Sequence, residues 1–63
     1  MEDWQQRVVE ERNQLQDRYL SLQHTLRQGR PKHIEIIDWS DLISQYFHMK
    51  NYLQVLQKRI NKF

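Results

Sequence analysis

The chain has 63 residues, with 10 Lys and Arg against 8 Asp and Glu and no cysteine. A chain this short buries too little surface to be stable without a disulfide, a bound metal or self-association. The lack of cysteine excludes a disulfide. Its histidines lack the i, i+4 spacing and the cysteine neighbours of a structural zinc site; they are His24, His33 and His48. We therefore expect no metal, and we expect self-association to supply the missing stability.

The hydropathy pattern argues against a membrane location. No apolar run approaches the roughly 18 residues of a membrane span. The N-terminus is acidic and aromatic, unlike the basic and then apolar start of a secretory signal. We expect a cytoplasmic protein with no membrane partner.

Charge is distributed unevenly along the chain. Residues 1–26 carry three Arg against five acids, whereas residues 27–63 carry seven basic residues against three acids. An acidic helix beside a basic one favours antiparallel or intersubunit pairing, although ordinary solvated helix faces also explain such a bias.

A first helix is predicted over residues 2–28, and a connector over 29–37. Two interleaved seven-residue repeats mark a narrow apolar seam in this helix. Gly29 suits the position after the helix end, and Pro31 prevents its continuation. The seam consists of Val8, Leu15 and Leu22 in one repeat and Arg12, Tyr19 and Leu26 in the other, with Arg12 as the polar interruption.

A second helix is predicted over residues 39–61. Asp38 has the side chain of an N-cap, Asp41 would then stand at N3, and Ile37 and Leu42 would form a hydrophobic staple. Both core positions of each heptad are apolar, which favours coiled-coil-like packing on the first helix. They are Trp39, Tyr46, Leu53 and Ile60, and Leu42, Met49, Leu56 and Phe63.

Several apolar side chains remain outside the seam. One partner helix covers only one stripe, so this second apolar surface is expected to face other protomers or a ligand. The fold class is therefore all-α, an antiparallel two-helix hairpin that assembles into a symmetric helical-bundle oligomer. The residues outside the seam are Trp4, Val9, Leu20, Ile43, Phe47, Tyr52 and Val55.

No catalytic constellation is visible, since there is no cysteine, no Gly-rich phosphate loop and no convergent Ser/His/acid set. Asp38 and Asp41 could form a carboxylate pair, but capping explains both. We expect a protein that is not an enzyme and uses no cofactor.

Two stripes contain residues suited to nucleotide binding. Gln45, Tyr52 and Arg59 repeat every seven residues, and these side chains can pair with a base edge, stack on a ring and hold a phosphate. Trp4 and Arg7 share a face of the first helix with Glu11. In the alternative interpretation, these residues serve helix packing and ordinary ion pairing.

These residues also carry a resemblance to a known family. The stretch Leu42-Ile43-x-Gln45-x-x-x-Met49-x-x-Tyr52-x-x-Val55-Leu56-x-x-Arg59-Ile60, with the opening Trp4-x-x-Arg7-Val8-x-x-Glu11, is similar to a bacteriophage hairpin domain. This domain is shared by anti-CBASS cyclic-nucleotide sponges and Thoeris anti-defence sponges. Residues 12–41 match it only in helical character.

The resemblance implies binding and sequestration of bacterial immune signals without their cleavage. The implied ligands are a cyclic dinucleotide, a cyclic trinucleotide or a cyclic ADP-ribose isomer, held between protomers of an assembly that is often hexameric. It implies Arg59 and Arg7 as phosphate contacts, and Tyr52, Gln45 and Trp4 as stacking or base-reading residues. The competing hypotheses are a helical-hairpin dimer that binds RNA or DNA and a coiled-coil adaptor.

Overall fold

The computed structural model describes residues 1–63 and consists of two α-helices joined by a short connector. α1 spans Asp3–Arg27 and α2 spans Ile36–Ile60, with 25 residues each. At 1.5 Å per residue each helix is about 37 Å long. The two helices lie antiparallel in a rod of 47 × 15 × 14 Å, which confirms the predicted all-α hairpin. Neither helix is long and apolar enough to cross a membrane.

α1 lies within one residue of its predicted bounds. The backbone N–H of Glu2 donates to Oε1 of Gln5 at 2.8 Å and so closes the first turn. At the other end Gly29 has a φ of 87° and donates its N–H to the carbonyl of Leu26 at 3.2 Å. This left-handed conformation is the reason for a glycine directly after the C-cap.

The start of α2 differs from the prediction by one turn. The N-cap residue is Glu35, not Asp38, and Asp38 occupies N3, the position predicted for Asp41. A turn in which Ile34 donates to the carbonyl of Pro31 at 3.1 Å directs the chain into the helix early. An acidic side chain in the first turn is favourable next to the positive helix end, so Asp38 retains an N-terminal role.

The predicted staple pair shifts with the helix start. Ile37 and Leu42 are not the N′ and N4 residues; those positions belong to Ile34 and Trp39, which are both half-buried. Ile37 is 72% exposed in the first turn. Ile34 thus lies in the connector, and Ile36 lies in the first turn of α2.

The seam follows the predicted heptads. All the predicted seam residues are buried or half-buried except Phe63, which is exposed at the chain end. Arg12, the polar interruption, donates from Nη1 to Oε1 of Gln57 at 2.8 Å. Only Val8, 5% exposed, and Leu56, 0% exposed, are fully buried. Two helices therefore make a line of contact and not an enclosed core.

Candidate functional site

The five residues predicted to bind ligand lie along one side of the hairpin, which we call the ligand face. Trp4 and Arg59 line one cleft, and the hydroxyl of Tyr52 donates to Oε1 of Glu11. Arg7 stands one turn from both Trp4 and Glu11 on the same side of α1. Gln45 is one heptad before Tyr52 on α2. The ligand face is defined by Trp4, Arg7 and Glu11 of α1 and Gln45, Tyr52 and Arg59 of α2.

The cleft at the open end of the hairpin, here the terminal cleft, combines aromatic rings with cations. It has a volume of about 310 Å³ and is lined by Trp4, Gln5, Arg59, Lys62 and Phe63. The rings of Trp4 and Phe63 meet edge to face at 5.3 Å and 83°. Trp4 remains about half exposed. An indole face beside a guanidinium and an ammonium suits an anion attached to a flat ring.

Antiparallel pairing explains why the terminal cleft forms. It places the start of α1 beside the end of α2, so that Trp4 lies next to Phe63. Sequence reasoning did not include Lys62 or Phe63 in the site, because Phe63 was assigned to the seam and Lys62 belongs to no heptad pattern. Alignment of the two predicted helices in antiparallel register would have identified both.

Tyr52 and Glu11 form the neighbouring part of the ligand face. The hydrogen bond to Glu11 raises the pKa of the Tyr52 phenol above its ordinary value of 10.0, as do burial and the carboxylate charge, while the positive charge of Arg59 opposes the shift. The phenol is thus held in its neutral, hydrogen-bonding form.

Gln45 lies outside the terminal cleft. It is 14 residues before Arg59, which corresponds to about 21 Å along a helix. It lines a separate, more open groove of about 540 Å³ on the same side of the hairpin. The structure therefore brings Trp4 and Arg59 together in one cleft. It pairs Tyr52 with Glu11 about 10 Å farther along the hairpin, and it places Gln45 farther still. The other groove residues are Asp17, Arg18, Ser21, Leu22, Thr25, Leu42 and Met49.

The ligand face offers hydrogen-bond donors, positive charge and aromatic surface. No group of three or more His, Cys, Asp or Glu side chains is placed to hold a metal ion. The side chains of the terminal cleft can bind a phosphate and stack on a base, which is the chemistry of recognition.

The sequence is similar to a known protein family over almost its whole length. The model of the family described as Sequestin matches residues 2–62. No curated protein and no solved structure matches the chain. The matched region includes both helices and the whole ligand face. The chain therefore belongs to the Sequestin family, whose name is consistent with sequestering a ligand.

Proposed function

We propose that this chain is a phage anti-defence sponge, which binds cyclic oligonucleotide or cyclic ADP-ribose type immune signals in the host cytosol and sequesters them without cleavage. Membership of the Sequestin family supports a ligand-sequestering role. The nature of the ligand rests on the resemblance to the anti-CBASS and Thoeris sponges and on the chemistry of the terminal cleft.

The observation that carries the proposal is the pairing of Trp4 with Arg59 in the terminal cleft. Cyclic nucleotide signals present a flat base and a negatively charged phosphate a short distance apart. Trp4 supplies a ring on which a base can stack, and Arg59 supplies a planar fork that matches two phosphate oxygens. Lys62 adds a second positive charge to the same cleft.

A second copy of the chain completes the site in this account. A tight small-molecule site buries about 70–90% of its ligand, whereas the terminal cleft lies on a rod only 15 Å thick and leaves Trp4 half exposed. Packing of two ligand faces over one signal molecule would bury it from both sides. We therefore place the ligand between protomers.

Sequestration requires tight binding and no turnover. The terminal cleft is lined by indole, amide, guanidinium, ammonium and phenyl groups, which recognise a nucleotide but do not deprotonate a water at neutral pH. The nearby carboxylate of Glu11 accepts the hydrogen bond of Tyr52. These contacts favour a ligand that is bound and released unchanged.

Calorimetry with a panel of cyclic dinucleotides, cyclic trinucleotides and cyclic ADP-ribose isomers tests the proposal. We expect submicromolar binding of at least one member, and recovery of that ligand unaltered after the protein is heated. The absence of binding across the panel would refute the sponge hypothesis.

The competing hypothesis of nucleic-acid binding can be tested with the same protein sample. The basic residues near the end of α2 point around roughly half of the helix circumference at 100° per residue, so they do not form one continuous basic stripe. Four phosphate contacts would give a salt slope of about −3 to −4 in a duplex RNA titration. We expect no such slope. The residues concerned are Lys50, Lys58, Arg59 and Lys62.

A further inference from the structure

Glu11 carries the only acidic group of the ligand face. The other charged side chains that define this face are Arg7 and Arg59, and Lys62 adds a further cation in the terminal cleft. A carboxylate among these cations weakens the binding of a phosphate next to it, and binding sites use charges of this kind to select among ligands. The place of Glu11 is explained if it contacts a part of the ligand that carries hydrogen-bond donors and no charge.

The hydrogen bond from Tyr52 orients the Glu11 side chain and leaves most of its acceptor capacity free. The Tyr52 hydroxyl donates to Oε1 of Glu11. A carboxylate has two oxygens with about four acceptor sites, so Oε2 remains for a ligand. Glu11 is exposed, and Tyr52 is 44% exposed. The pair therefore presents an oriented acceptor that a ligand on this face can contact.

A ligand made of two nucleotide units extends from the terminal cleft as far as Glu11. Glu11 lies one heptad after Trp4 on the same stripe of α1, which is about 10 Å along the helix. The terminal cleft has a volume of about 310 Å³, at the lower end of the range for small-molecule sites. It holds one part of a cyclic dinucleotide, and the ligand face continues from the cleft toward Glu11.

The order of groups in a cyclic dinucleotide decides which of them meets Glu11. The sugars and phosphates form a central ring, and the bases project outward from it. With one base on Trp4 and a phosphate at Arg59, the next group along the ring is a sugar. A ribose that is linked through its 3′ and 5′ oxygens keeps a free 2′-hydroxyl, which is a hydrogen-bond donor. Acidic side chains also bind a ribose 2′-hydroxyl in dinucleotide-binding folds.

We propose that Glu11 selects the sugar of the bound signal, and that the ligand is a 3′,5′-linked cyclic dinucleotide whose ribose 2′-hydroxyl donates to Oε2 of Glu11. The inference rests on the proposed function and deepens it, because it names the class of signal and the group that is recognised. Tyr52 is a positioning residue, since it holds the carboxylate without contacting the sugar. A deoxyribose at this place loses the hydrogen bond, and a 2′-phosphate is repelled by the carboxylate.

Calorimetry of the wild-type protein tests the inference without any variant. The probes are cyclic di-AMP and cyclic di-GMP, both 3′,5′-linked, and the 2′-deoxy form of each. We expect at least one ribose form to bind about tenfold or more tightly than its deoxy form, as the loss of a hydrogen bond to a charged group implies. Equal affinities within both pairs, or no binding of either ribose form, would overturn the inference.

Two alanine variants distinguish a sugar contact from a structural role of Glu11. Glu11→Ala should weaken the ribose form about tenfold. It should not weaken the deoxy form, which has no hydrogen bond to lose and gains from the removal of a negative charge. A purely structural role would weaken both forms by the same factor, and that result would contradict the sugar contact.

Glu10→Ala is the matched control for Glu11→Ala. Glu10 is the adjacent acid, lies on a different side of α1, and accepts a hydrogen bond from Nε2 of Gln6 at 3.4 Å. We expect Glu10→Ala to leave the ratio of the ribose and deoxy affinities unchanged, and an equal loss of this ratio in both variants would refute the role of Glu11. Alanine favours helix, and circular dichroism checks that both variants remain helical.

The failure of this inference is distinguishable from failure of the proposed function. If the ribose and deoxy forms bind equally, or if another member of the nucleotide panel binds and neither cyclic dinucleotide does, the sponge function stands and Glu11 does not select the sugar. If no member of the panel binds, the proposed function fails and this inference fails with it.

Discussion

Tyr19 and Tyr46 face each other across the seam, with their rings stacked at 4.8 Å and their hydroxyl oxygens 2.9 Å apart. Gln23 donates from Nε2 to the Tyr46 hydroxyl at 3.0 Å. A polar pair inside an apolar seam specifies register, because any slip leaves half-buried hydroxyls without partners. This pair therefore fixes which residues meet at the two ends of the hairpin, including those of the terminal cleft.

Replacement of Tyr46 by Phe removes the shared hydroxyl. The hydroxyl of Tyr19 and the amide of Gln23 then lose a partner in a half-buried place, which lowers the free energy of unfolding. We expect a lower midpoint in urea for Tyr46→Phe than for Tyr52→Phe, whose hydrogen bond is on the surface. Equal midpoints for the two variants would contradict the role of the seam pair.

The three tyrosines are expected to ionise at different pH values. The hydrogen bond with Tyr19 and then that with Gln23 lower the pKa of Tyr46, whereas the hydrogen bond with Tyr46 raises the pKa of Tyr19. The hydrogen bond to Glu11 raises the pKa of Tyr52. Ultraviolet absorbance of the phenolate, followed against pH, should show one early and two late ionisations.

The Tyr52 shift also has a consequence for stability. The pKa of Tyr52 is raised in the folded state, so the hydrogen bond between Tyr52 and Glu11 contributes to the free energy of unfolding in full below pH 10.0, the ordinary pKa of tyrosine. This contribution is lost as the pH rises through the raised pKa. Tyr52→Phe should remove one late ionisation and leave the early one. A titration in which Tyr52→Phe removes the early ionisation would contradict this assignment.

Gly29 is expected to be the most sensitive position of the connector. Its φ of 87° is strained for any residue with a Cβ, while no atom lies within 4 Å of where that Cβ would be. Gly29→Ala should therefore cost about 1 kcal/mol through the backbone alone, measured by thermal unfolding. Gln28→Ala, at the adjacent right-handed position, serves as the control and should cost less.

Ligand affinity is expected to depend on Arg59 and not on its neighbour. Arg59→Ala removes the planar fork of the terminal cleft and should weaken the binding of the tightest member of the nucleotide panel at least about tenfold. Lys58→Ala removes an equal charge from a different side of α2 and should have little effect. If calorimetry gives the same affinity for both variants, Arg59 is not a phosphate contact.

The heptads of α2 made the hairpin and its seam predictable. The apolar residues at the core positions from Trp39 to Phe63 form a stripe that is buried when a second helix packs along α2. A short connector between the two helices requires that they run antiparallel. Arg12 is compatible with the seam because its guanidinium donates a hydrogen bond to Gln57. This contact depends on the register of the two helices, so it cannot be predicted from the sequence of one helix alone.

The predicted start of α2 at residue 39 was wrong, because sequence features near Ile36 and Asp38 favour a later start than the one observed. Asp38 has the side chain of an N-cap and Ile36 is β-branched, so the sequence favours a later start. In the structure Ile36 is 71% exposed and packs against little, so its side chain does not decide the conformation. The turn from Pro31 to Ile34 sets the start of the helix.

The residue types of the candidate site could be predicted from the sequence. Which of these residues lie close together in the hairpin could not. Heptad spacing places Gln45, Tyr52 and Arg59 on one stripe, yet about 10 Å separates each from the next along a helix. Grouping depends on the partner helix, which brings Trp4 to Arg59 and Glu11 to Tyr52. The role of these residues in ligand binding stays a prediction.

Sedimentation velocity of the protein with the tightest nucleotide of the panel tests the central claim most directly, with absorbance reporting nucleotide and protein together. We predict that the nucleotide sediments with a species heavier than the 7.9 kDa chain, and that it is chemically unchanged when recovered. A nucleotide that stays behind, above a protein that sediments as a folded monomer at micromolar concentration, would contradict the account.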